Sequence, residues 1–252
     1  MNHPPPPVVL VTGASRGIGR AIARHVAVRG ARVAVHYAGR EDAARETLAA
    51  LPGEGHALFQ ADVADPAACE RLVAEVIARF GRLDVLVNNA GIAEDDAITT
   101  ASYAEWQRVW RRTLDTNLVG PANLMYLAVR HMRPRRSGRI VNITSRAAYR
   151  GELTAQAYAA SKAGLNITGQ SLARALGADG ILVFGLAPGW VETEMATAAL
   201  TGPGARDVLA QHPLGRVGTP DEIGAAAAWL ALEAPANLTG GVIDANGASY
   251  LR

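Results

Sequence analysis

The sequence predicts a single-domain α/β fold, in which a parallel sheet carries helices on both faces. Short apolar runs typical of buried strands alternate with segments whose apolar residues recur every three or four positions, as in helices. The chain has 252 residues, of which 49% are hydrophobic and 19% charged, so it can bury a sizeable core and is too apolar for a disordered chain. No linker, repeat or change of composition divides residues 8–252, which we expect to form one domain.

About seven strands are predicted, each a short apolar run bounded by turn residues. They are Val8–Val11, Arg32–His36, Ala57–Ala61, Leu83–Val87, Arg139–Ile143, Ile181–Leu186 and Val242–Ala245. The segments between them predict six helices, which are residues 18–30, Glu41–Leu51, 65–80, Tyr103–His131, Ala155–Leu176 and Asp221–Glu233. In the third helix Asp65 is the expected N-cap and Pro66 the first-turn proline.

Two segments are expected to be less regular. Residues 1–7 contain four prolines and predict a short extended lead-in. Residues 190–213 contain Gly202-Pro203-Gly204 and follow a strand, at the sheet edge where ligands bind in open α/β folds. We interpret them as a lid over the site, with an ordinary surface excursion as the alternative.

Composition excludes several classes of protein. The net charge of +2 gives no coherent basic face for nucleic acid. Cys69 is the single cysteine, and no Cys/His cluster has metal-ligand spacing, so we expect neither a disulfide nor a metal site. No signal-peptide pattern and no apolar run of ~18 residues occurs in the sequence, so we expect a cytoplasmic protein that is not bound to a membrane.

A glycine-rich turn joins the first strand to the first helix. Its sequence is Thr12-Gly13-Ala14-Ser15-Arg16-Gly17-Ile18-Gly19. Glycines at such a turn let backbone N–H groups and the helix N-terminus approach a pyrophosphate, so we expect a dinucleotide to bind here. A purely structural turn would use the same residue types.

The choice between NAD and NADP depends on charge at the end of the second strand. An NAD site needs an acid there to accept from the ribose 2′-hydroxyl, but residues 36–38 contain none. Arg16 and Arg40 can instead pair with a 2′-phosphate, which favours NADP. The alternative is that both arginines are solvated surface charges.

The one lysine of the chain lies in a motif that suggests acid/base chemistry. The chain has 24 arginines but only Lys162 as lysine, in Tyr158-Ala-Ala-Ser-Lys162, so the phenol and the ammonium lie four residues apart on one helix face. An adjacent ammonium stabilises a phenolate and brings its pKa, ordinarily ~10, toward neutrality. Ser145 ends a strand and can hydrogen-bond a substrate carbonyl beside the tyrosine.

Together these motifs resemble the short-chain dehydrogenase/reductases, a family with a doubly wound Rossmann fold. The resemblance spans Val8 to Leu251 and adds Asn88-Asn89-Ala90-Gly91, Asn117, and Pro188-Gly189 with Thr193. It implies that Tyr158 is the general acid/base, that Lys162 lowers the pKa of Tyr158 and holds the nicotinamide ribose, that Ser145 orients the carbonyl, and that Asn117 supports a relay water. The cofactor-binding residues it implies or the motifs suggest are Gly13, Ser15, Arg16, Gly17, Ile18, Gly19, Tyr37, Arg40, Asp62, Val63, Asn89, Ala90, Gly91, Tyr158, Lys162, Pro188, Gly189, Val191 and Thr193.

The branch that looks most similar is the β-ketoacyl carrier-protein reductases, through the segments around Ser161-Lys162, Ala187-Pro188-Gly189, Glu192 to Met195 and the Thr239 to Gly247 ending. The resemblance implies an NADP-dependent reduction of a 3-oxoacyl thioester or similar small ketone, with the substrate carried on an acyl carrier protein or coenzyme A, by a homotetramer. Phe184 and Asp179 depart from that branch, and Asp179 would repel an acidic carrier. The alternatives are an idle cofactor-sensing or scaffold protein, and an alcohol or polyol dehydrogenase working oxidatively.

Three further groups of residues have two interpretations each. The arginines 130, 133, 135, 136 and 139 form a landing patch for an acidic carrier or a solvated helix end. The acids 94–96, with Arg146, Tyr149 and Arg150, either line the substrate pocket or face water. Pro121 lies four residues after Asn117 within a predicted helix, so it either kinks the helix and frees the Asn117 carbonyl for a water, or marks a bend needed for packing.

Overall fold

The computed structural model describes residues 5–252, and the predicted lead-in over residues 1–7 therefore lies mostly outside the described residues. Seven parallel strands form one sheet in the order β3-β2-β1-β4-β5-β6-β7. The strands are β1 (Val8–Val11), β2 (Arg32–Tyr37), β3 (Ala57–Gln60), β4 (Val85–Asn88), β5 (Gly138–Ile143), β6 (Ile181–Pro188) and β7 (Val242–Ala245). All seven predicted strands are found, and β6 runs two residues further than expected because Pro188 still pairs with Ala245 of β7.

Ten α-helices connect or follow the strands in the described chain. They are α1 (Gly17–Val28), α2 (Glu41–Ala49), α3 (Pro66–Phe80), α4 (Tyr103–Leu114), α5 (Gly120–Met132), α6 (Ala147–Arg150), α7 (Gln156–Leu176), α8 (Thr197–Thr201), α9 (Ala205–Ala210) and α10 (Pro220–Leu232). Four short 3₁₀ turns lie at Arg133–Arg135, Gly177–Asp179, Glu194–Ala196 and Ala236–Leu238. The predicted cap of α3 is confirmed, since the Asp65 carboxylate accepts from Ala67 N.

Two predictions of regular structure need correction. The single helix expected over Tyr103–His131 is interrupted by a π-helical turn, Asp115–Val119, in which Gly120 N donates to Asp115 O, five residues earlier. The segment 190–213, expected to be irregular, contains α8 and α9, whose polar and small residues gave no clear helical period. Both segments lie beside the site described below.

The core has two layers, one on each face of the sheet. On one face α1, α2 and α10 pack over the strands through side chains such as Ile22, Ala44 and Ala227. On the other face α3, α5 and α7 bury side chains such as Leu72 and Leu165. Because both faces are covered, β1 and β4 at the centre are buried along their whole length, which explains their continuous apolar runs. No helix of the described chain is both long and apolar enough to cross a membrane.

Candidate active site

The predicted site residues lie along the carboxyl edge of the sheet, on both sides of the point where the strand order reverses between the neighbouring strands β1 and β4. Chain segments that leave β1 to β6 supply Gly13, Ser15, Arg16, Gly17, Ile18, Gly19, Tyr37, Arg40, Asp62, Val63, Asn89, Ala90, Gly91, Ser145, Pro188, Gly189, Val191 and Thr193. Asn117 comes from the π turn, and Tyr158 and Lys162 come from α7. One edge thus receives contributions from nearly the whole chain.

The glycine turn has the geometry that a phosphate group requires. Gly13 and Gly17 have φ of 64° and 51°, values that favour glycine. A Cβ at Gly19 would lie 2.1 Å from Gly13 O, so the turn is too tight for any side chain there. Helix α1 begins with no side-chain cap on its first N–H groups and no acid in its first turn. These N–H groups and the positive end of the helix dipole fit a pyrophosphate.

Thr12 and Asn89 hold the turn in this shape. The Thr12 hydroxyl accepts from Asn89 N at 2.9 Å and Ala90 N at 3.0 Å, while it donates to Val87 O. The Asn89 amide donates to Thr12 O at 2.8 Å and Gly13 O at 3.2 Å. The side chain of Asn89, predicted to bind cofactor, therefore joins the start of the turn to the end of β4.

His36 is a residue of the site that sequence reasoning missed. Its Nδ1 accepts from Gly13 N at 3.0 Å, and its Nε2 lies 3.1 Å from Ala61 O, to which it must donate. Burial lowers the pKa of His36 to about 4, so the ring is neutral at physiological pH and has one defined tautomer. It links the glycine turn to the end of β3. The contacts join residues 23 and 25 positions apart, and no local pattern marks them.

Arg16 and Arg40 converge on one point. The Arg16 guanidinium lies 2.5 Å and that of Arg40 3.7 Å from the same oxygen, Glu194 Oε2, on a 3₁₀ turn within the predicted lid. A Cβ on Gly17 would lie 3.3 Å from Thr193 Cγ2, so this segment lies against the glycine turn. The two guanidiniums are therefore close enough to share one anionic group.

Ser145, Tyr158 and Lys162 meet above the ends of β4 and β5. The Ser145 hydroxyl lies near enough to the Tyr158 phenol to lower its pKa, and it accepts from Ala147 N at 3.1 Å. The Lys162 ammonium is 4% exposed, donates to Ile143 O at 2.9 Å and lies 5.6 Å from the centre of the Tyr158 ring. Burial lowers the pKa of Lys162 to about 8. Tyr158 itself is partly exposed, as a group that meets a substrate must be.

The expected effect of Lys162 on Tyr158 is not present in this structure. Burial raises the pKa of Tyr158, the hydrogen bond from Ser145 lowers it, and the charge of Glu152 raises it. The prediction of a lowered pKa was wrong because burial of the phenol has the largest effect on its pKa, and Lys162 is not among the groups that shift it. The phenol is therefore protonated at neutral pH, the form that can donate a proton.

Comparison with known proteins assigns this chain to a family. A family model described as "Enoyl-(Acyl carrier protein) reductase" matches residues 13–247. The chain is a member of the short-chain dehydrogenase/reductase family. It is 41% identical over 244 residues to the 3-oxoacyl-[acyl-carrier-protein] reductase FabG of Escherichia coli K12, covering 97% of each chain. The FabG of Staphylococcus aureus strain Mu50 is 40% identical over 244 residues, covering 96% of this chain and 97% of that one.

A solved structure shows the same fold. A dehydrogenase/reductase from Sinorhizobium meliloti 1021 superposes with a TM-score of 0.89 at 31% identity, covering 97% of this chain and 95% of that one. The prediction of a Rossmann fold in a short-chain dehydrogenase/reductase is thereby confirmed.

In this short-chain dehydrogenase/reductase, Asn117 and Asp96 fix the loop that follows β4. The Asn117 side chain is fully buried, accepts from Ile92 N at 2.9 Å, and donates to Ile92 O at 2.8 Å and Ser161 Oγ at 3.2 Å. The Asp96 carboxylate is also fully buried and accepts from Gln156 N at 2.6 Å and Ala157 N at 2.8 Å. Asp96 was expected at the pocket edge or in water. It instead holds the first turn of α7, two residues before Tyr158.

The remaining ambiguous residues divide as follows. The five arginines between positions 130 and 139 precede or begin β5, so they lie at the amino edge of the sheet, opposite the site. Several are already bonded: Arg133 pairs with Asp179 at 2.8 Å, and Arg139 donates to Leu230 O and Ala234 O. A carrier docked on them would be remote from Ser145, which removes the support for a landing patch beside the site.

The role of Pro121 stays a prediction. In the five-residue register of the π turn, the N–H that Pro121 lacks would fall opposite the carbonyl of Thr116, and not opposite that of Asn117.

Proposed function

We propose that this enzyme reduces the 3-oxo group of an acyl thioester with NADPH. The observation that carries the proposal is the meeting of Ser145, Tyr158 and Lys162 beside an uncapped glycine turn. The names of the FabG relatives support the 3-oxoacyl group as the substrate. An idle sensor or scaffold, or an oxidative polyol dehydrogenase, is not favoured by these relatives.

When bound, NADPH supplies the hydride that reduces the carbonyl carbon. The Ser145 and Tyr158 hydroxyls donate to the carbonyl oxygen, which gains negative charge as the carbonyl carbon is reduced. The Tyr158 O–H bond then breaks, its proton forms the alcohol O–H, and the phenolate that remains accepts from the Ser145 hydroxyl and is reprotonated from water. The raised pKa of Tyr158 suits this direction, because the phenol enters the reaction with its proton.

Carbonyl reduction fits this site better than reduction of a carbon–carbon double bond, which the family description names. The Ser145 and Tyr158 hydroxyls, which lie close together, serve an oxygen that becomes an alkoxide on the reduced carbon. In enoyl reduction the charge develops on the thioester oxygen of an enolate and the proton is finally needed on carbon, whereas carbonyl reduction needs the proton on the oxygen of the reduced carbon itself.

Lys162 also holds the ribose hydroxyls of the cofactor in this proposal. Gly91 lets the backbone after β4 approach that region, since a Cβ there would lie 3.2 Å from Asn117 Oδ1 and 3.5 Å from Lys162 Nζ. The Asn117 side chain uses three of its four hydrogen-bonding positions on Ile92 and Ser161, so in this proposal its backbone carbonyl supports the relay water.

The preference for NADPH rests on Arg16 and Arg40. Both guanidiniums approach Glu194 Oε2, and no acid lies at the end of β2 to accept from a ribose 2′-hydroxyl. In the proposed complex the 2′-phosphate takes the place of this carboxylate. Asp62 and Val63 follow β3 beside this point and form the adenine side of the site.

Assembly, carrier and location complete the proposal. We expect a homotetramer, for which Tyr126 of α5 and Ile167 of α7 offer apolar side chains that are 63% and 64% exposed. A carrier-bound or coenzyme A-bound acyl group and a cytoplasmic location remain predictions. A monomer by light scattering at micromolar concentration would contradict the tetramer.

The test is oxidation of NADPH in the presence of acetoacetyl thioesters, compared with simple ketones, sugars and cyclic diketones. We expect the thioesters to have the highest kcat/KM and Tyr158→Phe to lose nearly all activity while it stays folded. Higher kcat/KM for a sugar or polyol, or full activity of Tyr158→Phe, would refute the proposed function.

A further inference from the structure

Two arginines directly follow Ser145 and face the predicted lid. Arg146 is only 3% exposed, although it carries a permanent charge, whereas Arg150 is exposed. Their positions, four residues apart in the turn that forms α6, bring both side chains to one face. Neither residue has a role in the reaction described above.

Both guanidiniums end on the same neutral atom. Arg146 Nη2 donates to Gln211 Oε1 at 2.9 Å, and Arg150 Nη1 donates to this oxygen at 2.7 Å. Gln211 directly follows α9 and thus belongs to the lid segment. The other terminal nitrogen of Arg146, Nη1, is buried and has no hydrogen-bond partner among residues 5–252.

The positive charges of Arg146 and Arg150 are not balanced by neighbouring carboxylates. No ion pair joins Arg146 or Arg150 to a carboxylate within the part of the chain that the structure describes, and Glu152 acts on the Arg146 charge only from beyond ion-pair distance. Burial, and then the like charge of Arg150, lower the pKa of Arg146. A buried guanidinium still keeps its charge, so the protein bears the full cost of desolvating it.

A protein is expected to bear such a desolvation cost where a bound ligand supplies the missing negative charge. Arg146 N donates to Pro188 O at 2.9 Å, so the arginine lies between the carbonyl-binding Ser145 and the segment that begins at the end of β6. An anionic oxygen that takes the place of Gln211 Oε1 would accept from both guanidiniums and supply the missing negative charge. Gln211, the side chain it displaces, belongs to the lid.

We propose that Arg146 and Arg150 form a subsite for an anionic oxygen group, a carboxylate or a phosphate, carried by the carbonyl substrate. The assignment to the substrate rests on the proposed function, because that places the reacting carbonyl at Ser145. The subsite itself rests on the unpartnered nitrogen, the two converging cations and the neutral acceptor. It narrows the substrate class to carbonyl compounds with a second, negatively charged end.

Three thioesters distinguish the source of the anion. The neutral reference is the acetoacetyl thioester of N-acetylcysteamine. The acetoacetyl thioester of coenzyme A adds phosphates on the thiol side, and the 3-oxoadipyl thioester of N-acetylcysteamine adds a carboxylate on the acyl side. We expect one of the two charged substrates to exceed the neutral one in kcat/KM by about ten-fold or more, the worth of a charge-assisted hydrogen bond.

Arg146→Met and Arg150→Met test the two cations, and Arg206→Met is the matched control on α9, where the arginine is exposed. In both test variants the ratio of charged to neutral kcat/KM should fall toward one, while the control keeps the wild-type ratio. Arg150 is exposed, so its variant does not endanger folding. Arg146→Met should leave the melting temperature unchanged or raise it, because it removes an uncompensated buried charge.

A ratio that neither test variant changes, or a melting temperature lowered by Arg146→Met, would overturn the subsite. If no thioester is reduced at all, the proposed function fails, and calorimetric titration of the whole chain with succinate and with inorganic phosphate decides the subsite alone. Binding that Arg146→Met weakens ten-fold or more supports it. Absence of binding by the wild-type chain overturns it.

Discussion

Replacing Lys162 by methionine should stabilise the folded protein at neutral pH, although it removes a residue of the site. The lysine is 4% exposed, and burial lowers its pKa to about 8 from the usual 10.5. Methionine has a similar length and no charge. The variant should therefore be inactive and yet more resistant to unfolding.

The size of the effect follows from the pKa. The difference between about 8 in the folded chain and 10.5 in the unfolded chain corresponds to about 3 kcal/mol, at roughly 1.36 kcal/mol for each pKa unit. Below pH 8 the lysine is charged in both states and the whole cost is present. Between pH 8 and 10.5 the folded lysine becomes neutral first, so wild-type stability rises with pH and the cost disappears. The lost bond to Ile143 O offsets about 1 kcal/mol of the gain.

The assay is urea unfolding of wild type and Lys162→Met at pH 7, 9 and 10.5, with Arg174→Met as control, since Arg174 is exposed on the same helix. We expect the variant to be about 2 kcal/mol more stable at pH 7 and to lose that advantage by pH 10.5. Titration of other groups is common to both proteins and cancels in the difference. A stability difference that is the same at every pH would refute the reasoning.

Three further substitutions test other parts of the site. Asp96→Asn should lower the free energy of unfolding by about 2 kcal/mol in urea titrations and reduce kcat, because one buried acceptor of the α7 N–H groups becomes a donor, whereas exposed Asp95→Asn should change neither. Arg16→Ala should raise KM for NADPH more than KM for NADH, and an equal rise for both would contradict the 2′-phosphate contact. Gly19→Ala should destabilise the fold by about 1–3 kcal/mol in thermal unfolding, since its Cβ would overlap Gly13 O; a wild-type melting temperature would contradict the tightness of the turn.

The parts of the site that the sequence predicted correctly depend on local spacing. The glycine turn lies between a strand and a helix that each have a clear period, and Tyr158 and Lys162 share a helix face because they are four residues apart. The alternation of strands and helices predicted the parallel sheet, and a parallel sheet brings the carboxyl ends of its strands to one edge. Predictions of this kind need no knowledge of how distant segments pack.

The parts that were missed depend on contacts across the chain. His36 meets Ala61, Asp96 meets α7 some 60 residues later, and Arg146 meets Gln211 at a separation of 65. The direction of the Tyr158 pKa was wrong for a related reason, since burial is a property of the packed fold. The lysine four residues away was visible in the sequence, and the burial that raises the pKa of Tyr158 was not.

The central claim is that hydride passes from the nicotinamide to a carbonyl held by Ser145 and Tyr158. It is tested most directly with NADPH that carries deuterium at the transferable position of the nicotinamide ring and an acetoacetyl thioester as substrate. Mass spectrometry should find one deuterium at C3 of the 3-hydroxybutyryl product, formed by wild type and not at a comparable rate by Tyr158→Phe. Product without the label, or equal labelled product from Tyr158→Phe, would contradict the claim.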